Sequence, residues 1–139
     1  VEPVKNSMLL RAMLGISGLI ASGLGGAILL DPASFYAANG VQLGTNVSLL
    51  NEVRASGGAL LASGLIILSG AFVTRMMFTS ALVSSALYLA YGISRLLAMA
   101  LDGVPARGLV NATVVELVIG LALLFALWRQ ARRQPITAG

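Results

Sequence analysis

The sequence contains no cysteine and no histidine. Those two absences remove disulfides, thiolate and imidazole metal sites, bis-histidine haem ligation and the usual nucleophile–base pairs. They leave the redox compartment open. Five acidic residues spread over the chain do not suggest a carboxylate cluster, so neither a metal nor a cofactor is expected. Charge of either sign is scarce, at 10% of residues against about 25% in ordinary soluble domains. The net charge of +4 comes from few positions, none of them in a soluble module that could dock on a duplex. A nucleic-acid partner is not expected.

What remains is apolar. Hydrophobic residues make up 58% of the chain and the mean hydropathy is +0.92, a composition that does not make a water-soluble fold. The runs between charges are long enough for the roughly 20 residues that cross a bilayer. The expected architecture is all-α: one membrane domain over 1–139, a transmembrane four-helix bundle with spans at about 7–30, 48–73, 76–101 and 109–128. A cleaved signal peptide is the rival for the first run, but its core is longer than a signal core and it reads as a retained helix. The first residue, Val1, leaves processing of the N-terminus open.

Asp31-Pro32 ends the first helix. The following segment to Val47 is rich in turn formers and carries Phe35 and Tyr36, aromatics that favour the headgroup level. It belongs on the membrane surface, with room for one interfacial helical turn. A very tight connection joins the second and third spans, and a turn from Asp102 to Gly108 joins the third and fourth. With four spans both ends share a side. Lys5, Arg11, Arg75, Arg129, Arg132 and Arg133 gather there, against Arg54, Arg95 and Arg107 on the other. The excess of Lys and Arg on cytoplasmic flanks predicts cytoplasmic termini in a bacterial inner membrane. The basic tail is then a stop signal first and a lipid or partner site second.

Residues three, four and seven apart share a helix face. In the third span Ser80, Ser84, Tyr88, Tyr91, Gly92 and Arg95 fall on one stripe, which should face protein, while Leu82, Val83, Leu89, Ile93, Leu96 and Leu97 should face lipid. In the second span Glu52, Ser56, Ala59, Ser63 and Gly70 align, and in the fourth Thr113, Glu116 and Gly120. The first span presents Gly15, Gly18, Ser22 and Gly25, with Gly18, Ser22 and Gly26 also spaced by four. Small residues let backbones approach where lipid gives no hydrophobic drive for association, so these stripes read as packing within the chain, with a homodimer seam as the alternative.

Arg54, Arg95 and Glu116 each sit roughly 9–10 Å inside the same leaflet by helix rise, with Glu52 slightly shallower and Tyr88 and Tyr91 below. A lone charge at a helix centre costs about 2.5–3.5 kcal/mol on insertion scales, so the four should gather into one polar layer, with Arg95 paired to Glu116. Glu52 and Arg54 lie on different sides of their helix, so both cannot point at the bundle axis. The layer is either a salt-bridge cluster that fixes register or the floor of a pocket for a ligand with a polar head and an apolar tail. A proton path is the third option. Asn46-Val47-Ser48 matches a glycosylation acceptor but is too short to weigh, and Gly25-Gly26 and Gly57-Gly58 lack a phosphate-loop lysine.

The segments NEVRASGGALLASG (Asn51 to Gly64), GISRLLAMALDGVP (Gly92 to Pro105) and VELVIG (Val115 to Gly120) resemble a bacterial family of small four-helix membrane proteins catalogued only as a domain of unknown function. The resemblance implies a four-span bundle and no established activity. The functional expectation is a non-enzymatic accessory or assembly subunit beside a larger membrane complex. The alternative is a binder or carrier of an amphipathic lipid-, isoprenoid- or quinone-like molecule near Arg95 and Glu116. An enzyme is not expected, since acid–base work would rest on Glu116 or Glu52 alone.

Overall fold

A computed structural model describes residues 2–133, with the side chains of 8–130 and 132. Val1, the tail from 134 and the side chains of Lys5 and Arg133 lie outside the described residues. Four long helices carry the fold: α1 (Glu2–Leu30), α3 (Val47–Phe72), α4 (Met77–Asp102) and α5 (Arg107–Arg133). A short helix, α2 (Pro32–Ala37), follows α1, and a 3-10 turn (Thr74–Met76) joins α3 to α4. Each long helix has a stretch long and apolar enough to cross a membrane: Met8–Leu30, Val47–Phe72, Thr74–Asp102 and Arg107–Gln130. The large side chains left uncovered on all four, such as Leu19, Leu65, Leu97 and Leu121, are those a bilayer would solvate.

The ends of these helices have local causes. Asp31 starts α2, its Oδ1 accepting from Ser34 N at 3.2 Å, with Pro32 as the first helical residue. Proline has no backbone N–H, and at that position a helix would leave one unbonded in any case. Hydrogen bonds from the Ser34 side chain and backbone hold the Asp31 carboxyl below its ordinary range. Asn46 starts α3, accepting from Leu49 N at 3.1 Å; the glycosylation triplet is thus a helix cap. Gly103, at φ +100°, reverses the chain after α4 in a conformation that other residues rarely adopt. The expected interfacial helical turn is α2, where Phe35 and Tyr36 meet edge to face with ring centres 5.5 Å apart.

Two antiparallel hairpins, α1/α3 and α4/α5, form the bundle and meet chiefly along α3 and α4. The α1/α3 contact is the more extensive, because glycines on both helices admit the other backbone. A methyl on Gly18 would lie 2.6 Å from Leu68 N, and one on Gly57 would lie 2.7 Å from Ile28 Cγ2. Gly25 abuts the Leu61 backbone and the Gly57 carbonyl, and Gly64 abuts Ser22. At both ends an arginine closes this hairpin. Arg11 of α1 donates through Nη1 to Ala71 O (3.0 Å) and through Nη2 to Thr74 Oγ1 (2.6 Å). Arg54 of α3 donates through Nη1 to the Leu29 and Leu30 carbonyls. Each therefore serves carbonyls at the C-terminal end of the opposite helix, where the helix itself leaves acceptors unmet.

In α4/α5 a glycine of each helix takes a leucine of the other: Leu117 covers Gly92 and Leu89 covers Gly120. Leu89 therefore faces protein rather than lipid, correcting its expected exposure. A column of hydroxyls on α4 bonds to the other three long helices. Ser80 Oγ donates to Ile66 O (2.6 Å), Ser84 Oγ to Ser17 Oγ (3.2 Å), Ser85 Oγ to Gly120 O (3.2 Å) and Tyr88 OH to Ser17 O (2.5 Å). Around it lie Leu14, Ile67, Ala81 and Leu123, all fully buried.

Candidate functional site

Arg95 and Glu116 meet near the α4–α5 turn. Arg95 Nε lies 3.0 Å from Glu116 Oε2 and 3.2 Å from Oε1, and the side chains are 31% and 13% exposed respectively. Equal depth on consecutive antiparallel helices brings them together, as the sequence pattern required. The Tyr91 ring lies one turn below, its centre 5.8 Å from Arg95 Cζ, a distance at which a cation is drawn to the ring face. Tyr91 remains 36% exposed, whereas Tyr88 is buried and spends its hydroxyl on Ser17.

Two expected members of the layer are elsewhere. Arg54 reaches the end of α1, and Glu52 is exposed without an ion-pair partner among the described residues. The topology favours this: α3 packs on α1 and α4 and not directly on α5, and Arg54 finds its acceptors on α1. The layer reduces to one ion pair with an aromatic neighbour.

The expected packing residues divide in the same way. Gly18 and Ser22 lie against α3 and Gly120 against α4, but Gly26 faces open space. Ser56 and Ser63 bond back to Val53 O (2.7 Å) and Ala59 O (2.9 Å) of their own helix. The face α3 buries is Gly57, Leu60, Gly64, Ile67 and Gly70, shifted from the expected one. Ser22 Oγ is buried with no hydrogen-bond partner among the described residues. The hydroxyls of Ser17 and Ser85 and the clasp made by Arg11 escaped the sequence reading. Ser17 had a legible signal, one of two hydroxyls in an otherwise apolar run.

Beside the ion pair lies a cavity of about 200 Å³ lined by Arg95, Ala98, Met99, Asp102, Gly103, Pro105 and Leu109. The lining is mainly apolar, with Arg95 at the deeper end and Asp102 at the end of the helix. Glu116 engages only Nε of Arg95. Nη1 and Nη2 have no hydrogen-bond partner among the described residues, although a guanidinium presents five N–H donors and keeps its charge in proteins. This arrangement can take an acceptor, and an anionic one best.

Four apolar spans, buried hydroxyls bonded within the bundle and an ion pair at one end define a small multi-pass helical membrane protein. The profile of the family Domain of unknown function (DUF4345) matches residues 9–127. The chain belongs to that family, in agreement with the resemblance carried by its second to fourth spans. No curated protein and no solved structure matches it.

Proposed function

We propose that this non-enzymatic membrane protein holds an amphipathic small molecule, lipid-, isoprenoid- or quinone-like, with its polar head at Arg95. The observation that carries the reading is that Arg95, whose Glu116 partner engages only Nε, lines a cavity otherwise bounded mainly by Ala98, Met99, Pro105 and Leu109. Few convergent polar groups on an apolar wall are the usual character of a small-molecule site. The test is native mass spectrometry of the protein extracted from its membrane in mild detergent. Wild type should carry a co-purifying amphiphile that Arg95→Gln loses and Ser63→Ala retains. Wild type free of any amphiphile would end this reading.

The accessory-subunit reading rests on a different surface. Gly18 and Ser22 are consumed inside the α1/α3 hairpin, which leaves α5 as the helix with most to offer a partner. Only 17% of its apolar window is buried, against 39% for the span that contains α4, and Val114, Val118, Leu121 and Phe125 are exposed. On this reading a larger protein co-purifies, Val118→Trp detaches it and Arg95→Gln does not. For orientation we propose that the end carrying Arg11, Arg75, Arg129 and Arg132 is the cytoplasmic side of a bacterial inner membrane, on the bias of Lys and Arg.

A further inference from the structure

Asp102 has no evident reason to stand where it does. It is the last residue of α4, at the negative end of the helix dipole, where a carboxylate is disfavoured. It is exposed and has no ion-pair partner among the described residues. The residue lines the same cavity as Arg95. Two turns of helix separate the two residues, which places them on one face about 10 Å apart along the axis. Arg95 is the deeper and Asp102 closes the span.

The size of the cavity and the order of these charges narrow the ligand. At about 200 Å³ the space is below the roughly 300–1,000 Å³ of sites that enclose a whole drug-sized molecule. It fits a head, with the apolar remainder left in the bilayer. The field inside is mixed, because Glu116 already answers part of the Arg95 charge and Asp102 adds a second carboxylate. A head carrying only negative charge meets two carboxylates for one guanidinium. A head with its anion deep and its cation outermost meets an opposite charge at each level. A phospholipid standing in a leaflet presents its charges in this order, phosphate next to the acyl chains and amine beyond it.

Resting on the ligand-binding reading above, we propose that the cavity is a headgroup site for a zwitterionic aminophospholipid. The phosphate accepts hydrogen bonds from Nη1 and Nη2 of Arg95, and the ammonium donates to the Asp102 carboxylate. The acyl chains leave past the half-exposed Tyr91, one turn below Arg95, into the surrounding bilayer.

The test uses the full chain in nanodiscs of equimolar phosphatidylethanolamine, phosphatidylcholine and phosphatidylglycerol, with retained lipid read by native mass spectrometry after extraction. Wild type should retain phosphatidylethanolamine about tenfold over phosphatidylglycerol, the scale of one charge-assisted contact. It should also prefer it to phosphatidylcholine, whose quaternary ammonium has no N–H to donate. Asp102→Asn should keep lipid but lose the preference, and Asp102→Lys should turn it toward phosphatidylglycerol. Both changes lie at an exposed helix end, and melting temperatures equal to or above wild type would show that the bundle is intact. Equal retention of the three lipids by wild type, or an unchanged preference in Asp102→Asn, overturns the zwitterion assignment while binding at Arg95 stands. No retained lipid in wild type overturns both.

Discussion

The two hairpins of this bundle are joined by different means. In α1/α3 the contact is backbone against backbone: Gly18, Gly25, Gly57 and Gly64 each leave a space that the opposite main chain fills, and charge enters only at the two ends, where Arg11 and Arg54 clasp the opposite helix. In α4/α5 leucines rest on Gly92 and Gly120, an ion pair stands near the turn, and a cavity opens beside it. Dispersion falls off steeply with distance, so the first hairpin gains its cohesion from closeness and has no room for a guest. The second keeps its helices apart by the width of side chains and leaves charged groups within reach of the bilayer. Close backbone contact is concentrated in one half of the molecule, and the ion pair and cavity in the other.

Three sets of substitutions test this division. Gly25→Leu should have the largest effect, exceeding the roughly 1–3 kcal/mol of ordinary overpacking, because the obstructing atoms belong to the Leu61 backbone and the Gly57 carbonyl. Its neighbour Gly26→Leu faces open space and should melt with wild type in detergent. Equal melting of the two variants would remove the basis for separating the hairpins.

The ion pair comes next. Losing one partner of a fully buried pair costs roughly 3–5 kcal/mol, and the partial exposure of Arg95 lowers this to about 1–3 kcal/mol for Arg95→Leu or Glu116→Leu. The double variant should recover most of the loss in a double-mutant cycle; additive losses would show that the two side chains do not act on each other. Ser22→Ala should have the smallest effect. It removes a buried hydroxyl that lacks a partner among the described residues while keeping the residue small against Gly64, so stability should hold or rise by about 1 kcal/mol at most. A loss above that would mean that Ser22 Oγ is bonded in the membrane.

The spans, the polar stripe of α4 and the pairing of Arg95 with Glu116 were legible in the sequence. Apolar length and the depth of a charge are properties of the chain itself. The buried face of α3 was not. Polarity pointed to Ser56 and Ser63, but a serine in a helix can satisfy its hydroxyl on its own carbonyls, as both do here, and is then free to point anywhere. Side-chain size decided the face, and the glycines one position on from those serines took it. Arg54 misled in a related way. Its long side chain reaches the open carbonyls at the end of α1, a destination set by which helices are neighbours. The cavity was equally hidden, because it depends on how Gly103 and Pro105 swing the turn over the end of α4.

The two arginine clasps give the first hairpin a fixed length. Arg11 grips the end of α3 and Arg54 the end of α1, so sliding one helix along the other in either direction releases contacts at both ends at once. A bilayer thinner or thicker than the hydrophobic span asks helices to tilt or shift. The clasped pair can answer only by tilting as one body. α5, held mainly by α4, carries no such clasp among the described residues, so any strain from a mismatched bilayer would fall first on the α4/α5 hairpin that holds Arg95.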